Sequence, residues 1–177
     1  MSLDTFVVLA SQYNTESDAL ADYDAVRKLY NDLGIIDTYD AAVLTRGPDG
    51  KVEIVKRVEE PTRHGAAAGL LIGLAVGAAV VLFPAAGIPL AAGMAGGAAI
   101  GTTAGAVAGH VARGMKRSDL KELGELLDNG KSGLVVVAAS DVASKVEAAI
   151  TRAKKRAKAQ LQADVDAMKK EIDRVAA

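Results

Sequence analysis

GAAAGLLIGLAVGAAVVLFPAAGIPLAAGMAGGAAIGTTAGAVAGHVA, residues 65–112, holds no Asp, Glu, Lys or Arg, although 24% of the whole chain is charged. Within it glycine recurs at every fourth position, first at Gly65, Gly69, Gly73 and Gly77, then at Gly93, Gly97, Gly101, Gly105 and Gly109. Such a stretch has to be covered by lipid or by protein. Glycine costs roughly 0.8–1 kcal/mol of helix propensity relative to Ala, so a repeat of this length argues for helices whose backbones pack closely. These nine glycines are the expected self-association surface. Four steps of about 100° overshoot a full turn by about 40°, which favours a right-handed crossing.

Phe83-Pro84-Ala85-Ala86-Gly87-Ile88-Pro89 divides the stretch, because two prolines and a glycine end one helix and start another. The result is a two-armed apolar hairpin over residues 64–113. At ~1.5 Å per residue the first arm reaches roughly 28 Å, close to a ~30 Å hydrocarbon core. Its Leu, Ile, Val and Phe residues favour insertion by about 4 kcal/mol, those of the second arm by about 2 kcal/mol. A hairpin returns the chain to the side it left. Arg57, Arg63, Arg113, Lys116 and Arg117 gather at its base, which under the positive-inside rule puts both termini in the cytoplasm. The alternative is a soluble assembly whose hairpins cover one another.

Outside the hairpin the pattern is α+β. Thr5–Ala10 is an unbroken apolar run, as in a central strand. Thr15 and Asp18 form a capping pair before a helix with Ala19, Leu20, Tyr23, Val26, Tyr30 and Leu33 on one face, closed by Gly34. Two strands, about 38–45 and 51–58, flank the turn Gly47-Pro48-Asp49-Gly50. Residues 1–63 are thus read as βαββ. Over 114–140, Ser118 opens a short helix bearing Leu120, Leu123, Leu126 and Leu127, Asp128-Asn129-Gly130 turns, and Leu134–Ala139 is a strand. From Asp141 to Ala177 no Gly or Pro intervenes, which predicts one long C-terminal helix with a heptad-like stripe at Leu161, Val165, Met168, Ile172 and Val175. The predicted fold is a ferredoxin-like βαββαβ domain carrying an inserted Gly/Ala-rich hairpin and that helix.

The layout resembles a family of small bacterial membrane or stress proteins of unknown function that carry a glycine-zipper hairpin. The resemblance rests on the Thr5–Ala10 strand, the Asp40–Val58 strand pair, the zipper from Gly65 to Gly109, and the return from Leu123-Gly124-Glu125-Leu126-Leu127 to Ser132-Gly133-Leu134-Val135-Val136-Val137. It implies membrane association, at a bacterial inner membrane, and supplies no activity.

Composition argues against other classes. The formal net charge is −1 and cysteine is absent, so neither a dedicated nucleic-acid binder nor a disulfide or thiolate-metal framework is expected. Met1-Ser2-Leu3-Asp4 lacks the features of a secretory signal. Gly130-Lys131-Ser132 precedes a strand and lacks the earlier glycine of a phosphate loop. His64 and His110 sit at the hairpin base without a neighbouring carboxylate, too few for a metal site. Arg152, Lys154, Lys155, Arg156 and Lys158 form a basic run suited to an anionic surface or, equally, to a solvated helix face that pairs with the acidic N-terminal half. No cofactor, metal or catalytic set is expected. The sequence reads as a non-enzymatic, self-associating protein at a membrane, with a soluble shell or cage as the first alternative and a small pore as the second.

Overall fold

The computed structural model describes residues 4–34, 40–49, 52–57, 78, 82, 109–128, 130–164, 166–167 and 170. Among the described residues the main elements follow in the order β1 (Asp4–Tyr13), α1 (Glu16–Asp32), β2 (Asp40–Arg46), β3 (Val52–Arg57), α2 (Arg117–Gly124), β4 (Ser132–Ala139), α3 (Ala143–Ala149) and β5 (Lys155–Ala163). The fold is α+β, and its strands form one antiparallel sheet ordered β3-β2-β4-β1-β5.

The sequence explains this order. β4 is buried from Ser132 through Ala138, and a strand without a wet face belongs at the centre with a neighbour on each side. It pairs antiparallel with β1 and with β2. β3 sets exposed Glu53 between buried Val52 and Ile54, and takes the outer edge beside β2. The expected four-strand order would have set the 51–58 strand next to β1. The return strand after the insert occupies that place instead, because only it is apolar enough on both faces.

The long C-terminal helix expected over 141–177 is not formed. α3 stops at Ala149, Ile150 turns extended (φ −84°, ψ 96°), and Lys155–Ala163 is strand β5, paired with β1 from Asp4↔Ala163 to Gln12↔Lys155. Ala, Lys, Gln, Arg and Leu are all good helix formers, which hid a period of two: Ala157, Ala159 and Leu161 face inward while Lys158, Gln160 and Gln162 face out. Tertiary pairing overrides the local preference here. Leu161 therefore belongs to a sheet, not to a heptad stripe. Among the described residues helix resumes at 166–167 and 170, and Asp164 Oδ1 accepts the Ala167 N–H at 2.9 Å; Val165, Met168, Ile172 and Val175 lie outside the described residues.

Other expectations hold in detail. Thr15 caps α1 by accepting the Asp18 N–H at 3.2 Å, and Gly34 takes φ 72° just past the helix end. β1 is longer than the apolar run, since Ser11 and Gln12 are buried within it rather than in a loop. Gln12 is accommodated because its Oε1 accepts the Asp128 N–H at 2.8 Å. α2 begins two residues earlier than a cap at Ser118 would set it, with Lys116 as an N-cap that makes no side-chain bond.

Both faces of the sheet are covered. On one, α1 and α3 close a core of Leu9, Tyr13, Tyr23, Val26, Tyr30, Val43, Val136, Val146 and Ile150. On the other, Phe6, Val8, Leu44, Ile54, Val135, Val137 and Leu161 meet α2 and three residues of the apolar stretch, Ala78, Leu82 and Val111. At these positions the insert packs on the domain that carries it.

Candidate functional site: the hairpin base and the basic run

Of the nine repeat glycines, Gly65, Gly69, Gly73, Gly77, Gly93, Gly97, Gly101 and Gly105 lie outside the described residues, as does His64. Gly109 lies in the helical residues 109–114. A Cβ built there would meet only Nη1 of Arg113, at 3.9 Å, an ordinary contact. Nothing among the described residues of this chain uses the missing side chain of Gly109.

Close backbone approach occurs instead at two glycines outside the repeat. A Cβ on Gly114 would overlap the carbonyl oxygen of Gln162 on β5 and press on Leu161 Cδ1 at 2.8 Å. One on Gly124 would lie 2.9 Å from the carbonyl oxygen of Leu82. Gly124 carried a legible signal: it interrupts the otherwise helix-favouring Leu120-Lys121-Glu122-Leu123, where glycine costs about 1 kcal/mol relative to Ala and so calls for a packing reason. Gly114 had none, because it stands five residues after Gly109 and so out of step with the four-residue repeat.

Leu82 and Ala78, four residues apart in sequence, are both helical and both buried, at 6% and 0% exposure. They enter the same core as Phe6, Val8 and Leu123. In sequence this pair lies six and two residues before Pro84. Among the described residues no helix is long and apolar enough to cross a membrane.

The basic run is largely neutralised within the chain. Arg152 Nη1 lies 3.2 Å from Asp18 Oδ1, Lys155 Nζ 3.1 Å from Asp128 Oδ2, and Lys158 Nζ 3.1 Å from Glu147 Oε2. The Lys155 ammonium holds the Asp128 carboxyl below its ordinary value, first through the hydrogen bond and then through its charge. Lys154 and Arg156 make no ion pair among the described residues, and Lys154 uses its backbone N–H to bond Gln12 O at 2.8 Å. The residues singled out as one anion-binding stripe are therefore split between ties to α1, α3 and the turn before β4.

A second cationic group follows the charge-free stretch in sequence. Arg113, Lys116 and Arg117 are exposed and make no ion pair among the described residues. His110 lies one turn before Gly114, half-buried, and no group of three or more metal-ligating side chains occurs among the described residues. Gly130-Lys131-Ser132 is a turn into β4: Gly130 has φ 75°, its N–H bonds Arg46 O at 2.7 Å, and Lys131 reaches Asn14 Oδ1 at 3.4 Å.

Asp22, 1% exposed on α1, accepts Tyr13 Oη–H at 2.9 Å and the Arg152 backbone N–H at 3.0 Å, both on Oδ2. Burial, followed by this bond to Asp22, pushes the Tyr13 hydroxyl far above its ordinary value. The arrangement ties α1, β1 and the α3–β5 connection together, which is a structural task. Comparisons with protein families, curated proteins and solved structures return no match.

Proposed function

We propose that this is a non-enzymatic, self-associating structural protein whose apolar hairpin is covered by protein: by its own sheet at the distal half of the first arm, and by other copies along the glycine faces. The observation that carries this reading is the burial of Ala78 and Leu82 in the core beneath α2. A finger pointing away from the domain would place Leu82 roughly 25 Å from its base, far from Gly124. A finger lying along the domain brings the two together. The glycine repeat then needs a partner with the same close-packing surface, and a second copy supplies it.

The fold supports the same picture at finer grain. β1 and β2 run parallel with β4 between them, and β4 and β5 run parallel with β1 between them. Taken without β3, the order β2-β4-β1-β5 is that of a ferredoxin-like core, with α1 and α3 as its crossover helices. β3 is then an added edge strand leading into the insert.

A second reading is kept alive by one observation. Arg113, Lys116 and Arg117 form an exposed cationic patch at the end of a 48-residue charge-free stretch, as expected for a hairpin base resting on anionic headgroups. Under that reading the hairpin enters the bilayer, both termini stay cytoplasmic, and the protein reinforces a membrane.

Fractionation followed by sizing with and without detergent separates the two. A detergent-independent soluble oligomer, reduced to smaller species by Gly101→Leu, supports the protein-covered hairpin. Retention in carbonate-washed membranes, with release only by detergent, supports the membrane reading. A soluble monomer unaffected by Gly101→Leu overturns both.

A further inference from the structure

A cleft of about 300 Å³ opens between β5 and α3, at the small end of the range for ligand pockets. Its apolar floor is Leu9 and Ile150, both buried, and the buried Ser11 sits beside them. The strand register sets the charges around this floor: Leu9 lies opposite Lys158 and Ser11 opposite Arg156. Directly paired residues on one sheet face stand about 5 Å apart at Cβ, so both cations rise from the floor's edge.

The two cations differ. Lys158 is held by Glu147, which lines the same cleft. Arg156 has no carboxylate among the described residues, although Arg152 and Lys155 before it and Lys158 after it each have one. A chain that neutralises its neighbours leaves this guanidinium available, beside a hydroxyl and above a greasy floor. Across the cleft stands Glu122, also without an ion pair among the described residues.

We propose that this cleft binds a small aliphatic carboxylate, with the guanidinium of Arg156 taking the carboxylate in a forked pair and Leu9 and Ile150 taking the alkyl chain. A planar guanidinium matches two carboxylate oxygens at once. Volume limits the ligand to a short chain. Glu122 repels a second carboxylate and would welcome an ammonium group, so dicarboxylates are excluded and two sources share the required chemistry: a simple fatty acid and an aliphatic amino acid. The site does not depend on the hairpin, so it stands or falls separately from the assembly reading.

The test is a titration of the full chain with n-valerate and with norvaline, followed by calorimetry and by amide chemical shifts. Saturable binding with Kd of about 1 mM or tighter, shifting the resonances of Ser11, Ile150 and Arg156, is the expected result. Arg156→Gln should weaken it about tenfold or more, and Arg156→Lys should restore it in part. Tighter binding of norvaline, with the advantage lost in Glu122→Gln, assigns an amino acid; tighter binding of valerate assigns a simple acid. Failure of both to saturate at about 10 mM, or shifts confined to other surfaces, overturns the proposal. Should Arg156→Gln fail to fold, the shift map on the natural chain decides alone.

Discussion

The backbone of Gly124 faces the carbonyl of Leu82 so closely that a Cβ would stand 2.9 Å from its oxygen. The obstacle is main chain, which cannot rotate aside. Gly124→Ala must therefore move either α2 or the arm, and overpacking of this kind costs about 1–3 kcal/mol. Urea unfolding should show that loss. Gly114→Ala, which would overlap the Gln162 carbonyl oxygen, should cost at least as much, since β5 is held in the sheet along its length. An alanine at either position with unchanged stability would mean that the arm does not rest where Leu82 is placed.

Gly109 makes the opposite case. Its side of the helix offers no obstacle within 3.9 Å among the described residues, so Gly109→Ala should raise the stability of a single copy by roughly 0.5–1 kcal/mol through helix propensity alone. If copies pack through the repeat, Gly109→Leu should leave the far-ultraviolet circular dichroism intact and reduce the assembled mass on a sizing column. A bulky residue at this position that changes neither would leave the last glycine of the repeat without a role in association.

Leu82 tests the core itself. At 6% exposure in a shared cluster with Phe6, Val8 and Leu123, its truncation to Ala should cost about 2–5 kcal/mol. Denaturant titration of the detergent-free protein measures this directly. In a chain whose arm lies in lipid, the same substitution would scarcely alter the unfolding of the sheet.

How much of this was legible beforehand varies with the element, for physical reasons. β1, α1, the β2–β3 hairpin and β4 could be read because periodicity, caps and turn residues agree there: Thr15 with Asp18, Gly34 at positive φ, apolar Leu134–Ala139. β5 could not, because Lys155–Ala163 is written in helix-forming residues and becomes a strand only through pairing with β1. The basic run was visible, but its partners Asp18, Asp128 and Glu147 are brought to it by the fold, two of them across many residues. The glycine repeat was visible too, whereas the glycines that demonstrably lack room, Gly114 and Gly124, lie just beyond it.

The buried carboxylate of Asp22 supports two donors from different elements, Tyr13 and the Arg152 backbone. Asp22→Ala strands both, and hydrogen bonds to a charged group contribute about 1.5–3 kcal/mol each, so the loss should exceed that of Tyr13→Phe, which removes only one. A double-mutant cycle should show the two substitutions coupled rather than additive. Additivity would place the hydroxyl and the carboxylate out of contact.

Tyr13 also fixes how the fold responds to alkali. Its hydroxyl titrates above the ordinary 10.0, because burial and then the bond to Asp22 disfavour the phenolate. The unfolded chain loses this proton near its ordinary value while the folded chain keeps it, so above that pH the folded state binds the extra proton and stability falls as pH rises. The contribution is complete below about pH 10 and declines steadily above it. Tyr13→Phe should flatten that part of the stability–pH curve while lowering stability at neutral pH. Denaturant midpoints from pH 8 to pH 11, measured for both chains, provide the check: parallel curves would mean that Tyr13 ionises alike in the folded and unfolded chain, and the enclosed Tyr13–Asp22 bond would have to be abandoned.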